Sequence, residues 1–309
     1  MGALQKRRLL LVIDGLERWL NSWSEGSTDV ATEELSDNRS GHFEGLDDFL
    51  RQCTGLSNGS HLILTTRAMP AAVEGQSFAL VPVYGKDAEG VLRGLESVDS
   101  EQLLRRFGVL GSSEQIRDLA EHFAHHPLAR TVLGALLRDA YGGDAAKWPL
   151  ASAKGLAPRR ALHELLTVTR QHLPGRPFAD QFLQVAAHAE ENPSLEVIAA
   201  GMNGFESSPS KTGEDLRELA VTLGKWQLLR WEPPKAVVSL HPLIKHYFAG
   251  LVPTDQSLAI HRRMAEWYDA QALPPNPSSV EHVRCRILAI LHRSRCGENA
   301  RRFPSSATH

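Results

Sequence analysis

Leu9 to Trp19 reads LLLVIDGLERW, five apolar residues without a break, closed by Asp14 and Gly15. An unbroken apolar run of this length predicts a strand buried on both faces, as in a parallel sheet covered by helices. An acid at the carboxyl end of such a strand stands where open α/β sheets bind their ligands. The same string also fits a core strand that ends in an ordinary Asp-Gly turn, so its neighbours must decide between the two.

Working outward, Asn21 to Gly41 is acidic, polar and rich in Ser and Gly, the composition of a mobile loop. Phe43, Leu46, Phe49 and Leu50 have helical spacing and predict a helix over 43–52. A turn at 57–60 leads to HLILTTRAMP, His61 to Pro70, in which Leu62, Ile63 and Leu64 form a second short strand. Strand, helix and parallel strand make a βαβ unit. Thr65, Thr66 and Arg67 then lie at the same end of the sheet as Asp14, where Arg67 suits a phosphate through charge-assisted hydrogen bonds. SFALVPVY, Ser77 to Tyr84, predicts a third strand.

Beyond Lys86 the pattern turns helical, with segments over 88–95, 100–107 and 114–123 and, after His126-Pro127, over 128–140. Gly142 and Gly143 end this bundle. Residues 147–158 form a linker containing Pro, Ala and Ser. Helices follow over 160–172, 178–187, 194–200 and 214–225, then two short strands over 228–231 and 236–240 joined across Glu232, Pro233, Pro234 and Lys235. Helices followed by a hairpin are the pattern of a winged helix. HPLIKHYFAGLV continues as a helix whose Leu243, Ile244, Tyr247 and Phe248 face inward. Amphipathic helices over 255–270 and 281–293 come last, before a basic, polar tail over 294–309.

Composition narrows the function classes. The chain has 309 residues, a formal charge of −2, 42% hydrophobic and 23% charged residues. No basic surplus marks it as a nucleic-acid binder, and no apolar stretch approaches the roughly 20 residues of a membrane helix. Three scattered cysteines, Cys53, Cys285 and Cys296, fit a reducing cytoplasm better than a disulfide framework. His282, Cys285, His292 and Cys296 invite a zinc reading. On one helix, however, 285 and 296 stand about 16 Å apart at 1.5 Å per residue, too far for a single tetrahedral ion.

Four stretches fall in a characteristic order: LLLVIDGLE, LILTTR, a helix carrying HPLA, and VSLHPLIKHYF. Over roughly residues 5–270 this order resembles the NB-ARC type of STAND P-loop NTPase, in particular bacterial signalling ATPases. The resemblance implies an α/β plus all-α chain. Residues 1–85 would be the carboxyl part of the nucleotide-binding domain, 86–146 a helical bundle, 155–253 a winged helix, and 254–293 the start of a TPR-like repeat. It implies ADP or ATP with Mg²⁺ as cofactor. Asp14 would be the Walker B acid that helps hold the metal, Glu17 the nearest carboxylate for a general base, and Arg67 the sensor of the terminal phosphate. Pro127 would pack near the adenine, and His241 would touch the β-phosphate of ADP. Expected partners are adenine nucleotide, a second copy on activation, and proteins docking on the repeat.

Two departures qualify the resemblance. No GxxxxGK[ST] phosphate loop occurs in the sequence; Ser210-Lys211-Thr212 lacks the glycine and follows no strand. Gly15 replaces the acid usually paired with the Walker B Asp, and Pro242 stands in the Asp slot of the family's MHD motif. The expectation is therefore a fragment of an NB-ARC module, weak in nucleotide binding and unable to turn over ATP. A winged-helix DNA regulator and a helical interaction scaffold are the alternatives.

Overall fold

The structure is a computed structural model that describes residues 8–20, 40–43, 45–54, 59–66, 70–74, 95–123, 125–148, 158–203, 205, 213–272, 274, 276 and 278–297. The side chains of Glu17, Arg18, Pro158 and Arg159 are outside this description, as are the expected third strand and the helix expected over 88–95, but for its last residue. The chain divides into two compact units, Met1–Leu92 and Arg93–His309.

In the first unit, β1 (Leu10–Ile13) pairs in parallel with β2 (His61–Leu64), Ile13 standing opposite Leu64. Alternation sorts the side chains into two faces. Leu11, Ile13, Leu62 and Leu64 pack with Leu16, Ala72, Val73 and residues of helix α1 (Leu46–Thr54). Leu10, Val12 and Ile63 point the other way and are about half exposed or more. β1 is thus not buried on both faces. Among the described residues the sheet has two strands, and α1 with the 3₁₀ turn Ala71–Val73 packs against one side of it. Helix α1 begins at Leu46, not Phe43, because Gly45 at φ 83° breaks the backbone there.

The second unit is mostly helical. Its elements are α2 (Ser97–Arg106), α3 (Ser113–Glu121), α4 (Pro127–Tyr141), α5 (Pro158–His172), α6 (Arg176–His188), α7 (Leu195–Met202) and α8 (Gly213–Lys225). The antiparallel pair β3 (Arg230–Glu232) and β4 (Val237–Ser239) follows, then α9 (Pro242–Ala249), α10 (Thr254–Asp269) and α11 (Val280–Arg295). Local chemistry sets several of these boundaries. Ser112 and Gln115 make a reciprocal capping box at α3. Pro127 and Pro242 occupy first turns, where a missing N–H costs nothing. Gly142 ends α4 in the left-handed region at φ 64°.

One continuous apolar core runs from Leu104 to Ala289 through this unit. On α9, Ile244, Tyr247 and Phe248 are buried against it and Leu243 packs at its margin, with the Tyr247 hydroxyl 3.1 Å from Thr167 Oγ1. Fully burying a side chain such as Phe248 contributes about 1.5–3 kcal/mol, so α9 is anchored by its apolar face. No helix among the described residues is long and apolar enough to cross a membrane.

Candidate functional site

Two places carry the residues singled out from the sequence, one in each unit. In the first, the carboxyl ends of β1 and β2 are laced together. Thr65 N–H donates to the Ile13 carbonyl at 3.0 Å, and Leu16 N–H to the Thr65 carbonyl at 3.0 Å. The Thr65 hydroxyl accepts from Gly15 N–H at 2.9 Å and donates to Asp14 Oδ1. Gly15 holds φ 71°, a conformation that favours glycine and accounts for its place after Asp14. The Asp14 carboxylate is exposed at the strand end. Glu17 lies in the 3₁₀ turn Leu16–Trp19 that follows. Its side chain, and the whole of Arg67, are outside the described residues.

In the second unit a cleft of about 270 Å³ opens between the first turn of α4 and the hairpin–α9 junction. Leu128, Thr131, Arg230, Leu240, His241 and Ile244 contribute to its lining. This falls just under the about 300–1,000 Å³ typical of small-molecule sites. Both helices that border it start with His-Pro-Leu, at 126–128 and at 241–243. His241 is the N-cap of α9, its Nδ1 accepting from Leu243 N–H at 3.2 Å. That role puts the ring proton on Nε2 in the neutral imidazole, which makes Nε2 a hydrogen-bond donor. The α9 N-terminus also favours negative charge nearby. Pro127 is exposed at the first turn of α4; Leu128 and Thr131, not Pro127, line the cleft.

The start of α4 is set by a buried cation that sequence reasoning missed. Arg130 is fully buried. Its Nη1 donates to the Ser100 hydroxyl and to the His125 carbonyl at 3.1 Å, and Nη2 to the Ala120 carbonyl at 2.9 Å. Burial pulls the guanidinium down to about 10, still charged at neutral pH. His125 sits at φ 57°, unusual for a residue with a Cβ, and its carbonyl also accepts from Leu95 N–H at 2.9 Å. Burial and the Arg130 charge push both His125 and His126 below the ordinary imidazole range, so they favour the neutral form. On the hairpin side, Gln227 at φ 59° turns the chain from α8 toward β3. Arg230 then contributes an exposed guanidinium to the lining, its Nε 3.9 Å from Glu232 Oε1. No motif marked Gln227 or Arg230 in advance; the left-handed turn that aims them has no glycine to announce it.

His282, Cys285, His292 and Cys296 do not converge on one point. His282 accepts at Nδ1 from Ser278 N–H at 3.1 Å, Cys296 Sγ donates to the Leu258 carbonyl at 3.4 Å, and His292 turns inward to another helix.

No protein-family model matches the sequence, and no curated protein matches it. Among solved structures, the fold is similar to the crystal structure of a Signal Transduction ATPase with Numerous Domains (STAND) protein with a tetratricopeptide repeat sensor from Pyrococcus horikoshii. The match covers 93% of this chain at 14% identity, with a TM-score of 0.51. The chain spans 33% of that protein's length. The likeness is one of fold.

Proposed function

We propose that this chain is part of a nucleotide-dependent signalling switch of the STAND type, and that the cleft beside His241 is where its helical arm meets ADP. The observation that carries the reading is the joint lining of one cleft by Leu128 and Thr131 of the HPLA helix and by His241. These segments are separated by more than a hundred residues, and the family resemblance implies a nucleotide contact for Pro127, next to Leu128, and for His241. His241 would donate from Nε2 to the β-phosphate, with Arg230 adding charge at the rim. The Pro127–Thr131 turn would lie against the adenine. ADP held through His241 and the phosphates would keep the switch in its resting arrangement, and exchange for ATP would release it and permit association of copies. Residues 155–253 would be the winged helix of such a module and 254–293 the start of its repeat. The half-exposed Ile287, Ile290 and Leu291 on α11 would be a place for protein partners.

By the family resemblance, Asp14, Glu17 and Arg67 would serve phosphate at the strand ends of the first unit. Mg²⁺ takes one or two carboxylates together with phosphate oxygens and water. The single Asp14 carboxylate, aligned by Thr65, fits that ion only as a partner of bound phosphates. When bound, Mg²⁺ would neutralise phosphate charge. Asp14 itself would orient that ion, with Thr65 fixing the carboxylate rotamer.

Affinity should be low. Without a phosphate loop, each charged hydrogen bond from His241 or Arg230 contributes about 1.5–3 kcal/mol, against the cost of immobilising the ligand. Binding no tighter than roughly millimolar is expected. The DNA-regulator alternative is less favoured. The exposed side of α8 mixes Glu214 and Glu218 with Arg217 and Lys225, whereas DNA binding draws on an excess of Lys and Arg. Titrating the chain with ADP–Mg²⁺ while following backbone amides tests the proposal. Weak, saturable shifts at Leu128, Thr131, Leu240 and His241 are expected. Shifts elsewhere only, or tight sequence-dependent DNA binding, would overturn it.

A further inference from the structure

Glu190, His261 and His292 come from three separate places: just beyond the end of α6, the middle of α10 and the last turns of α11. One ligand atom from each lies within 4.8 Å of the other two. The Nδ1 atoms of His261 and His292 approach to 2.7 Å, and both rings are buried, His292 completely. His292 Nε2 is also buried and has no hydrogen-bond partner among the described residues. Only one of the two facing Nδ1 atoms can carry a proton in neutral rings, so a nitrogen lone pair points into the contact. Tyr268 stacks on His292 with ring centroids 5.8 Å apart, and His188 meets His261 edge-on at 5.3 Å. The Glu190 carboxylate reaches the cluster while Arg295 holds it, Nε to Oε1, at 2.8 Å.

We propose that Glu190, His261 and His292 form a binding site for one borderline divalent transition-metal ion, zinc being the natural probe. Bound there, the ion would tie the end of α6 to the α10–α11 hairpin.

Donor chemistry selects the class. Two imidazoles and a carboxylate suit zinc, nickel, cobalt or copper, whereas Mg²⁺ and Ca²⁺ prefer an all-oxygen shell. Ligand protonation is already correct. Burial is the main cause that brings both imidazoles down to about 4, with neighbouring positive charge adding to it, so they are neutral at pH 7. Burial works to raise the Glu190 carboxyl, but the Arg295 hydrogen bond and charge outweigh it and keep it ionised. The adjustment is small. Donors at about 2.0–2.2 Å from a tetrahedral ion stand roughly 3.3 Å from one another. The two Nδ1 atoms would open by about half an ångström, and Glu190, on a loop, would swing in by up to about 1.5 Å. The Arg295 guanidinium would remain as the partner that orients the carboxylate.

The test uses the full chain, stripped with chelator and titrated with Zn²⁺ against a chromophoric competitor, with Co²⁺ as the spectroscopic substitute. One equivalent should bind at micromolar or lower concentration, raise the Tm, and give the intense visible bands of four-coordinate Co²⁺. Glu190→Gln, at a half-buried loop position that should leave folding intact, should weaken binding at least about tenfold, and His261→Asn more. A Cys285→Ser/Cys296→Ser chain should bind as well as the parent, since no thiol belongs to the site. Absence of stoichiometric Zn²⁺ binding, binding unaffected by Glu190→Gln and His261→Asn, or binding lost with the cysteines would each overturn the proposal. None of these results bears on ADP at His241, so the two readings stand or fall separately.

Discussion

Arg130 should be the residue whose loss most disturbs the helical unit without touching the cleft directly. Arg130→Ala removes three hydrogen bonds from a charged donor and leaves a void in a fully buried position. Charged hydrogen bonds contribute about 1.5–3 kcal/mol each, and a large-to-Ala change in a core costs about 2–5 kcal/mol. Relief of the burial penalty on the guanidinium offsets part of this. The carbonyls of Ala120 and His125 keep backbone partners, so they are not orphaned. The net expectation is a loss of about 3–5 kcal/mol. Arg130→Met keeps most of the volume but not the bonds, and should cost about 1–3 kcal/mol. Urea unfolding followed by far-ultraviolet circular dichroism measures both, with an unchanged slope required for the comparison. Amide shifts at Leu128 and Thr131 should move in both variants, because Arg130 fixes the turn before α4. An Arg130→Met chain as stable as the parent, with those amides in place, would refute the argument that this network sets the cleft.

Three further outcomes are expected. Stability should fall as pH drops from about 6.5 toward about 4, because the unfolded chain binds protons there that buried His261 and His292 refuse. Glu190, Lys245, Arg295 and His188 also face this pair. The first protonation alone is worth on the order of 3 kcal/mol. Urea midpoints that stay flat over that window would contradict it. Gly134→Ala should destabilise by about 1–3 kcal/mol, since a Cβ there would come within 2.6 Å of the Phe107 ring, and thermal melts read this out. Phosphate release from ATP–Mg²⁺ should stay at background, because positioning of the phosphates supplies most of the catalysis in such enzymes; turnover lost on Asp14→Asn would show a cradle elsewhere.

The strand ending in Asp14 was legible because five apolar residues closed by Asp-Gly leave few other conformations. The parallel partner at Leu62–Leu64 followed from the intervening helix. Exposure of Leu10, Val12 and Ile63 was not legible, since a run of apolar residues does not say which of its faces a neighbour covers. Most helix bounds tracked the apolar spacing, and His241 was singled out by the family resemblance, in the slot of the MHD motif. Arg130 read as an ordinary helical arginine; only packing brings Ser100 and the carbonyls of Ala120 and His125 around it. The histidine pair escaped for a similar reason. Spacing along one helix grouped His292 with His282 and Cys285, whereas its partner lies 31 residues upstream on another helix.

The most direct measurement is of the His241 ring itself, through its imidazole nitrogen resonances in the isotope-labelled chain as ADP–Mg²⁺ is added. Contact with a phosphate should shift Nε2 saturably, with the same weak affinity as the amides of Leu128 and Thr131, and adenosine lacking phosphates should leave it in place. A His241 ring that stays unmoved while ADP saturates sites elsewhere on the chain would contradict the nucleotide role of this cleft.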